Sequence, residues 1–239
     1  MAKKKFGPGK CVHCLKEVEA RNSDHVFPES WYPDTTQPDV EKWQIPSCIP
    51  CNNEYGKLED DLLTKFGLCL EPSNPASASI VEKALRSVRP AAARNTRDAL
   101  HRAGRGRRIL AQALQGNQIP DHGIFPGLGD RWDDIPGERA AIPIPVRSFE
   151  RMTEKIVRGI YYVEDSIYIA PPYSIGVYVF PEGDISEWNE PLDKWGKTFA
   201  REPGISIRRA VSDDDHLSSL VEITFWMQFK TYAVVSDRP

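Results

Sequence analysis

The sequence predicts an α+β fold in unequal parts: a cysteine-anchored N-terminal segment, a basic helical middle and a small α+β C-terminal domain. Three observations lead there. Two CxxC pairs fall within the first 51 residues, nine of the eleven Lys, Arg, Asp and Glu residues between 77 and 110 are basic, and beyond Ser148 a helical pattern gives way to strand-like runs. A chain of 239 residues with 40% hydrophobic content can bury a core, and its length suits one large domain or two small ones.

In order, residues 1–70 form the cysteine-anchored domain, 71–116 the basic helical segment, 117–145 a linker or long loop, and 146–239 the C-terminal domain. Residues 1–10, with four lysines and Gly7-Pro8-Gly9, read as a mobile leader. The stretch from Pro28 to Pro46 is rich in Pro, Asp and Thr and is expected as a loop or irregular hairpin held at both ends. After Cys51, Tyr55, Leu58, Leu62 and Leu63 recur at helical spacing, with Asn52 as the natural N-cap. Cys69 reads as a small buried hydrophobe.

Residues 78–114 are expected to be helical, broken near Pro90 and again around Gly104 and Gly106. Between 77 and 110, Lys83, Arg86, Arg89, Arg94, Arg97, Arg102, Arg105, Arg107 and Arg108 face only Glu82 and Asp98. Arginine at this density matches a phosphate-binding face, with a solvated helix face as the alternative. Residues 117–145 hold nine prolines and glycines, which marks the candidate boundary.

Phe149, Met152, Ile156 and Ile160 then predict an amphipathic helix over 148–161. Strands follow at 174–180, 205–210, 220–228 and 230–235, with a helix near 185–200 and a hairpin turning through Phe229 and Lys230. The six tryptophans read as core or interface residues. Nothing in this part identifies a ligand. Its expected role is to choose the target, or to join a second copy or a partner protein.

The net charge of −3 gives no global sign of a nucleic-acid binder, so any basic surface must be local. No run of 18 apolar residues appears and the N-terminus lacks the apolar stretch of a secretory signal, so a cytoplasmic protein without a membrane partner is expected. Five cysteines, four in CxxC pairs, suit metal-binding thiols in a reducing compartment.

Cys11, Cys14, Cys48 and Cys51 supply four thiolates from two tight turns 33 residues apart, the donor set of a closed tetrahedral zinc. Such a shell has no open position, so this zinc is structural. Between the pairs lies Asp24-His25. Adjacent residues of an extended segment point to opposite sides, so Asp24 can reach a metal while His25 faces water, and Asn52, fixed by Cys51, is placed to complete an oxygen-rich shell. The plainer alternatives are a buried histidine bonded to an aspartate, and a helix-capping asparagine. His13 reads as a surface residue, since the cysteine set is complete without it. His101, His122 and His216 carry no role.

The run Cys11-Val12-His13-Cys14, Asp24-His25-Val26-Phe27-Pro28, then Cys48-Ile49-Pro50-Cys51-Asn52-Asn53 with Gly56-Lys57 resembles the HNH endonucleases with their ββα-metal fold. It is most similar to the subgroup in which asparagine directly follows the last zinc cysteine, which includes the phage Holliday-junction-resolving endonuclease. The resemblance covers roughly residues 10–66. It implies a metal-dependent nuclease on double-stranded DNA, serving phage or anti-phage defence, with Asp24 and Asn52 as ligands of Mg²⁺, Mn²⁺ or Ni²⁺ and His25 as general base.

Phosphate contacts are then expected from Lys57, Lys83, Arg86, Arg89, Arg94 and Arg97. One family position is empty: residues 26–47 contain no asparagine and no second histidine, and Gln44 is the expected substitute in bracing His25. The alternative reading is a catalytically degenerate zinc module that binds nucleic acid or protein.

Overall fold

A computed structural model describes residues 6–71, 73–120, 140–180, 185–201 and 204–237. Lys3, Lys4 and Lys5 of the leader, most of the Pro/Gly-rich segment, His122 and Trp132 lie outside the described residues.

The chain opens with two short antiparallel pairs. β1 (Gly9–Lys10) pairs with β2 (Glu17–Val18) and encloses the first thiol pair in its turn. β3 (Arg21–His25) pairs with β4 (Gln44–Cys48) in a register that sets His25 opposite Gln44 and Arg21 opposite Cys48. The Arg21 guanidinium donates to the main-chain oxygens of Gly7, Pro8 and Lys10 and so ties the two pairs together.

Helix α1 (Ile49–Cys69) leaves β4 without a connecting loop. Cys48 occupies the N-cap position and Pro50 stands in the first turn, where a missing N–H costs nothing. Asn52 therefore lies one turn inside the helix and does not cap it. Tyr55, Leu62, Leu63 and Phe66 form the buried face of α1.

Helices α2 (Ile80–Val88) and α3 (Thr96–Gln112) follow, separated by a 3₁₀ turn at Pro90–Ala92. The break at Pro90 is where proline demands it, and Asn95 restarts the helix by accepting from the Asp98 N–H at 2.9 Å. Gly104 and Gly106, by contrast, do not interrupt α3. A Cβ at Gly106 would come within 3.3 Å of the Val88 carbonyl oxygen, so this glycine admits α2 rather than breaking its own helix. β5 (Leu114–Gln115) pairs with β6 (Ala140–Ala141).

Helix α4 (Val146–Asp165) then leads to a five-stranded sheet. Its strands are β7 (Ser174–Tyr178), β8 (Lys197–Arg201), β9 (Ile205–Val211), β10 (Ser219–Phe225) and β11 (Phe229–Ser236), in the order β7-β11-β10-β9-β8, with every neighbouring pair antiparallel. Helix α5 (Ser186–Trp195) is shorter than the pattern suggested. It ends at Gly196, and the residues after it become an edge strand along β9. The β10–β11 turn lies at Trp226 and Met227, both at positive φ, three residues before the expected position, and this leaves Phe229 fully buried in β11.

Among the described residues the larger of two hydrophobic clusters joins the N-terminal segment to the sheet. It runs from Val12, Val26, Phe27 and Trp31 through Leu62 and Phe66 of α1 and Met152 and Ile156 of α4 to Val221, Ile223, Phe225, Trp226 and Phe229 of the sheet. Trp31 and Trp226 lie with ring centroids 5.1 Å apart, and the Trp226 indole donates to the Trp31 carbonyl oxygen at 2.9 Å. Of the two readings for the tryptophans, core or interface, Trp195 at 58% exposure departs from the first. No helix among the described residues is long and apolar enough to cross a membrane.

Candidate metal centre and histidine site

The four cysteines converge as their spacing requires. Their Sγ atoms lie within 4.8 Å of one another, and Cys14 and Cys48 are 3.8 Å apart. Zn–S bonds of about 2.3 Å in a tetrahedron put sulfurs about 3.8 Å apart, so the cluster matches a zinc shell and is far too open for a disulfide. The Cys48 N–H donates to the Cys11 sulfur at 3.3 Å. Burial opposes ionisation of Cys11, but main-chain donors from Cys14, Cys48 and His13 outweigh it and bring the thiol down to about 7. Burial and neighbouring thiols push Cys48 and Cys51 upward. A dication relieves that crowding, since thiolates rather than thiols are its ligands.

Asp24 and His25 point to opposite sides of β3. The Asp24 carboxylate is buried and both its oxygens are taken: the His13 Nε2 stands 2.9 Å from Oδ2, and the Lys155 ammonium of α4 stands 2.9 Å from Oδ1. Lys155 is fully buried, donates to the His25 main-chain oxygen at 2.6 Å and pairs with Glu59 of α1. Burial raises the Asp24 pKa, yet Lys155 and His13 prevail and hold it below the ordinary carboxylate range. At Glu59 burial wins and the pKa is raised. His13, at 3% side-chain exposure, is held below its ordinary pKa by burial, and its Nδ1 has no partner among the described residues. It is a core residue bonded to Asp24, not the surface residue its motif position suggested.

This arrangement bears on the expected Asp24–Asn52 cation site. An incoming dication would share a buried carboxylate with an ammonium less than 3 Å away, so Asp24 offers it no free oxygen here. Asn52 meets β3 at a different point, its Nδ2 donating to the Ser23 main-chain oxygen at 3.1 Å.

His25 faces the other way, half-buried, and burial holds its pKa below the ordinary imidazole value. Its Nε2 lies 3.1 Å from the Gln44 amide nitrogen, and the Ser23 hydroxyl donates to the other end of that amide at 2.6 Å. Ser23, His25 and Gln44 therefore make a bonded row on one face of the β3–β4 pair.

The basic helices are less uniformly free than their charge suggested. Lys83 donates to the Tyr32 carbonyl oxygen at 3.0 Å and pairs with Asp34, while Arg102 and Arg105 pair with Asp98 and Asp60. Arg89, Arg94, Arg97, Arg107 and Arg108 are exposed and their side chains make no ion pair among the described residues, while the Arg94 main-chain N–H donates to the Asp98 carboxylate at 3.0 Å. Lys57 is exposed on α1 and Arg86 on α2. Helix α2 packs on α1 at Gly67, where a Cβ would meet the Ala84 Cβ at 2.5 Å. At 1.5 Å per residue, that contact lies roughly 22 Å along α1 from Asn52.

Comparison of the chain with family models, with characterised proteins and with solved structures found no match. His13, Ser23, Glu59 and Lys155 are the site residues that the sequence did not single out. For Lys155 a signal existed: it lies three residues after Met152 and four before Gly159, on the helix face that is otherwise apolar.

Proposed function

We propose that this protein is a zinc-stapled endonuclease of the HNH kind, hydrolysing DNA phosphodiester bonds with His25 as general base. The observation that carries this reading is the Ser23–Gln44–His25 row at the end of β3, set beside the first turns of α1 and framed by four converging thiols. A neutral, oriented imidazole is what abstraction of a proton from water requires. Asn52 and the positive end of α1 supply donors for a phosphate, and the exposed arginines of α2 and α3 supply backbone contacts. An offset of roughly 22 Å along α1 corresponds to about six base pairs of duplex. Mg²⁺, Mn²⁺ or Ni²⁺ would supply charge neutralisation at the scissile phosphate. The thiol set favours a reducing compartment such as the cytoplasm.

A second reading has an observation of its own. Lys155 seated on Asp24 favours a degenerate module that binds nucleic acid without cutting it. Supercoiled plasmid incubated with the zinc-loaded protein and each of the three ions separates the readings. Nicking by the wild type, falling at least about 100-fold in His25→Ala, is expected from the usual contribution of a general base. Binding without nicking under every ion would establish the module instead, and equal nicking by His25→Ala would remove His25 from the chemistry.

A further inference from the structure

Helix α4 brings one buried ammonium into the place where the proposed nuclease would need a divalent ion. Lys155 has three donors and three oxygens facing them: Asp24 Oδ1 at 2.9 Å, the His25 main-chain oxygen at 2.6 Å, and Glu59 Oε1. No part of its side chain is exposed. An all-oxygen cage with two carboxylates is a hard-cation environment. Two carboxylates around one ammonium leave a negative charge uncompensated, whereas a dication in the same place would leave none.

We infer that Lys155 is the resident cation of this site, and that a divalent ion of the Mg²⁺ or Mn²⁺ class reaches Asp24 only when the Lys155 ammonium is withdrawn. This rests on the nuclease reading for its meaning, but its chemistry is tested without DNA. The ammonium comes from α4, and α4 is seated by close contact: a Cβ at Gly159 would lie 2.6 Å from the Val26 side chain, directly after the Asp24-His25 pair. Withdrawal of Lys155 by a movement of α4 relative to β3 would couple metal entry to the part of the molecule that carries the sheet.

The test is Mn²⁺ binding to the zinc-loaded full chain, followed by the loss of the free-ion electron paramagnetic resonance signal. Lys155→Met is expected to bind one Mn²⁺ at least tenfold more tightly than the wild type, and adding Asp24→Asn is expected to abolish the gain. Zinc content of one per chain and a wild-type circular dichroism spectrum report an intact fold. If Lys155→Met does not fold, Lys155→Met/Glu59→Gln removes the second unpaired carboxylate and is held to the same Asp24-dependent gain. A folded Lys155 variant with wild-type Mn²⁺ affinity, or a gain that survives Asp24→Asn, overturns the inference. Tighter Mn²⁺ binding in a protein that nicks no plasmid upholds it and counts against the nuclease reading alone.

Discussion

Gln44 stands across the strand pair from His25, and its amide links the imidazole Nε2 to the Ser23 hydroxyl. Two orientations of that amide satisfy the row, because a hydroxyl can donate or accept. With the NH₂ toward His25, Nε2 accepts and its lone pair is used. With the oxygen toward His25, Nε2–H donates and Nδ1 keeps a lone pair for water. Gln44→Leu frees the ring, and nicking is expected to fall by about 10- to 100-fold, part of what a well-placed base contributes, with little change in melting temperature. Gln44→Glu can only accept from the ring, so it should keep activity and raise the His25 pKa, moving the acidic limb of the pH–rate profile to higher pH. A Gln44→Leu enzyme with wild-type rate and profile would show that the amide does not orient His25. The sequence pointed to Gln44 because the family position was empty. It gave no sign of His13, because a histidine between two zinc cysteines reads as solvent-facing until the aspartate that accepts its proton is folded over it.

Helix α4 was legible in its period and illegible in its contacts. Phe149, Met152, Ile156 and Ile160 recur as a core-facing stripe must, and the described helix buries all four. What the period cannot say is which surface the stripe meets. Here part of it meets the residue after His25, through Gly159 and Val26. Gly159→Ala forces that contact, and overpacking of this kind costs about 1–3 kcal/mol. For a chain of this size the melting temperature should drop by about 2–10 °C in calorimetry. Gly56, with nothing within 4 Å of its would-be Cβ, is the control: alanine there should leave stability unchanged or raise it by up to about 1 kcal/mol. Equal effects at both positions would mean that helix propensity alone acts and that the Val26 contact imposes no cost. The same limit explains α3 and β8. Gly106 reads as a breaker locally but serves contact with α2, and Lys197–Arg201 becomes a strand because β9 offers it an edge.

The thiol-framed segment and the terminal sheet share a hydrophobic core. Trp31 and Phe66 complete their burial against Trp226 and Phe229, with the Phe66 and Phe229 rings 4.5 Å apart. Hydrophobic burial accounts for most of the drive to fold, so a fragment of residues 1–116 would expose this face to water. Even with zinc bound, such a fragment is expected to show poor chemical-shift dispersion or to aggregate. A monomeric, well-dispersed spectrum would show that the zinc and α1–α3 hold a core without the sheet. Composition and motif spacing suggested consecutive parts, because each carries its own local signature. The long-range pairs that join them have none. Lys155 reaches the main-chain oxygen of a residue 130 positions earlier, so the acid of the motif and its counter-charge lie on opposite halves of the gene. Recombination that moved only the cysteine-framed half into another protein would deliver a buried carboxylate stripped of its ammonium, and descent should therefore have kept the two halves together.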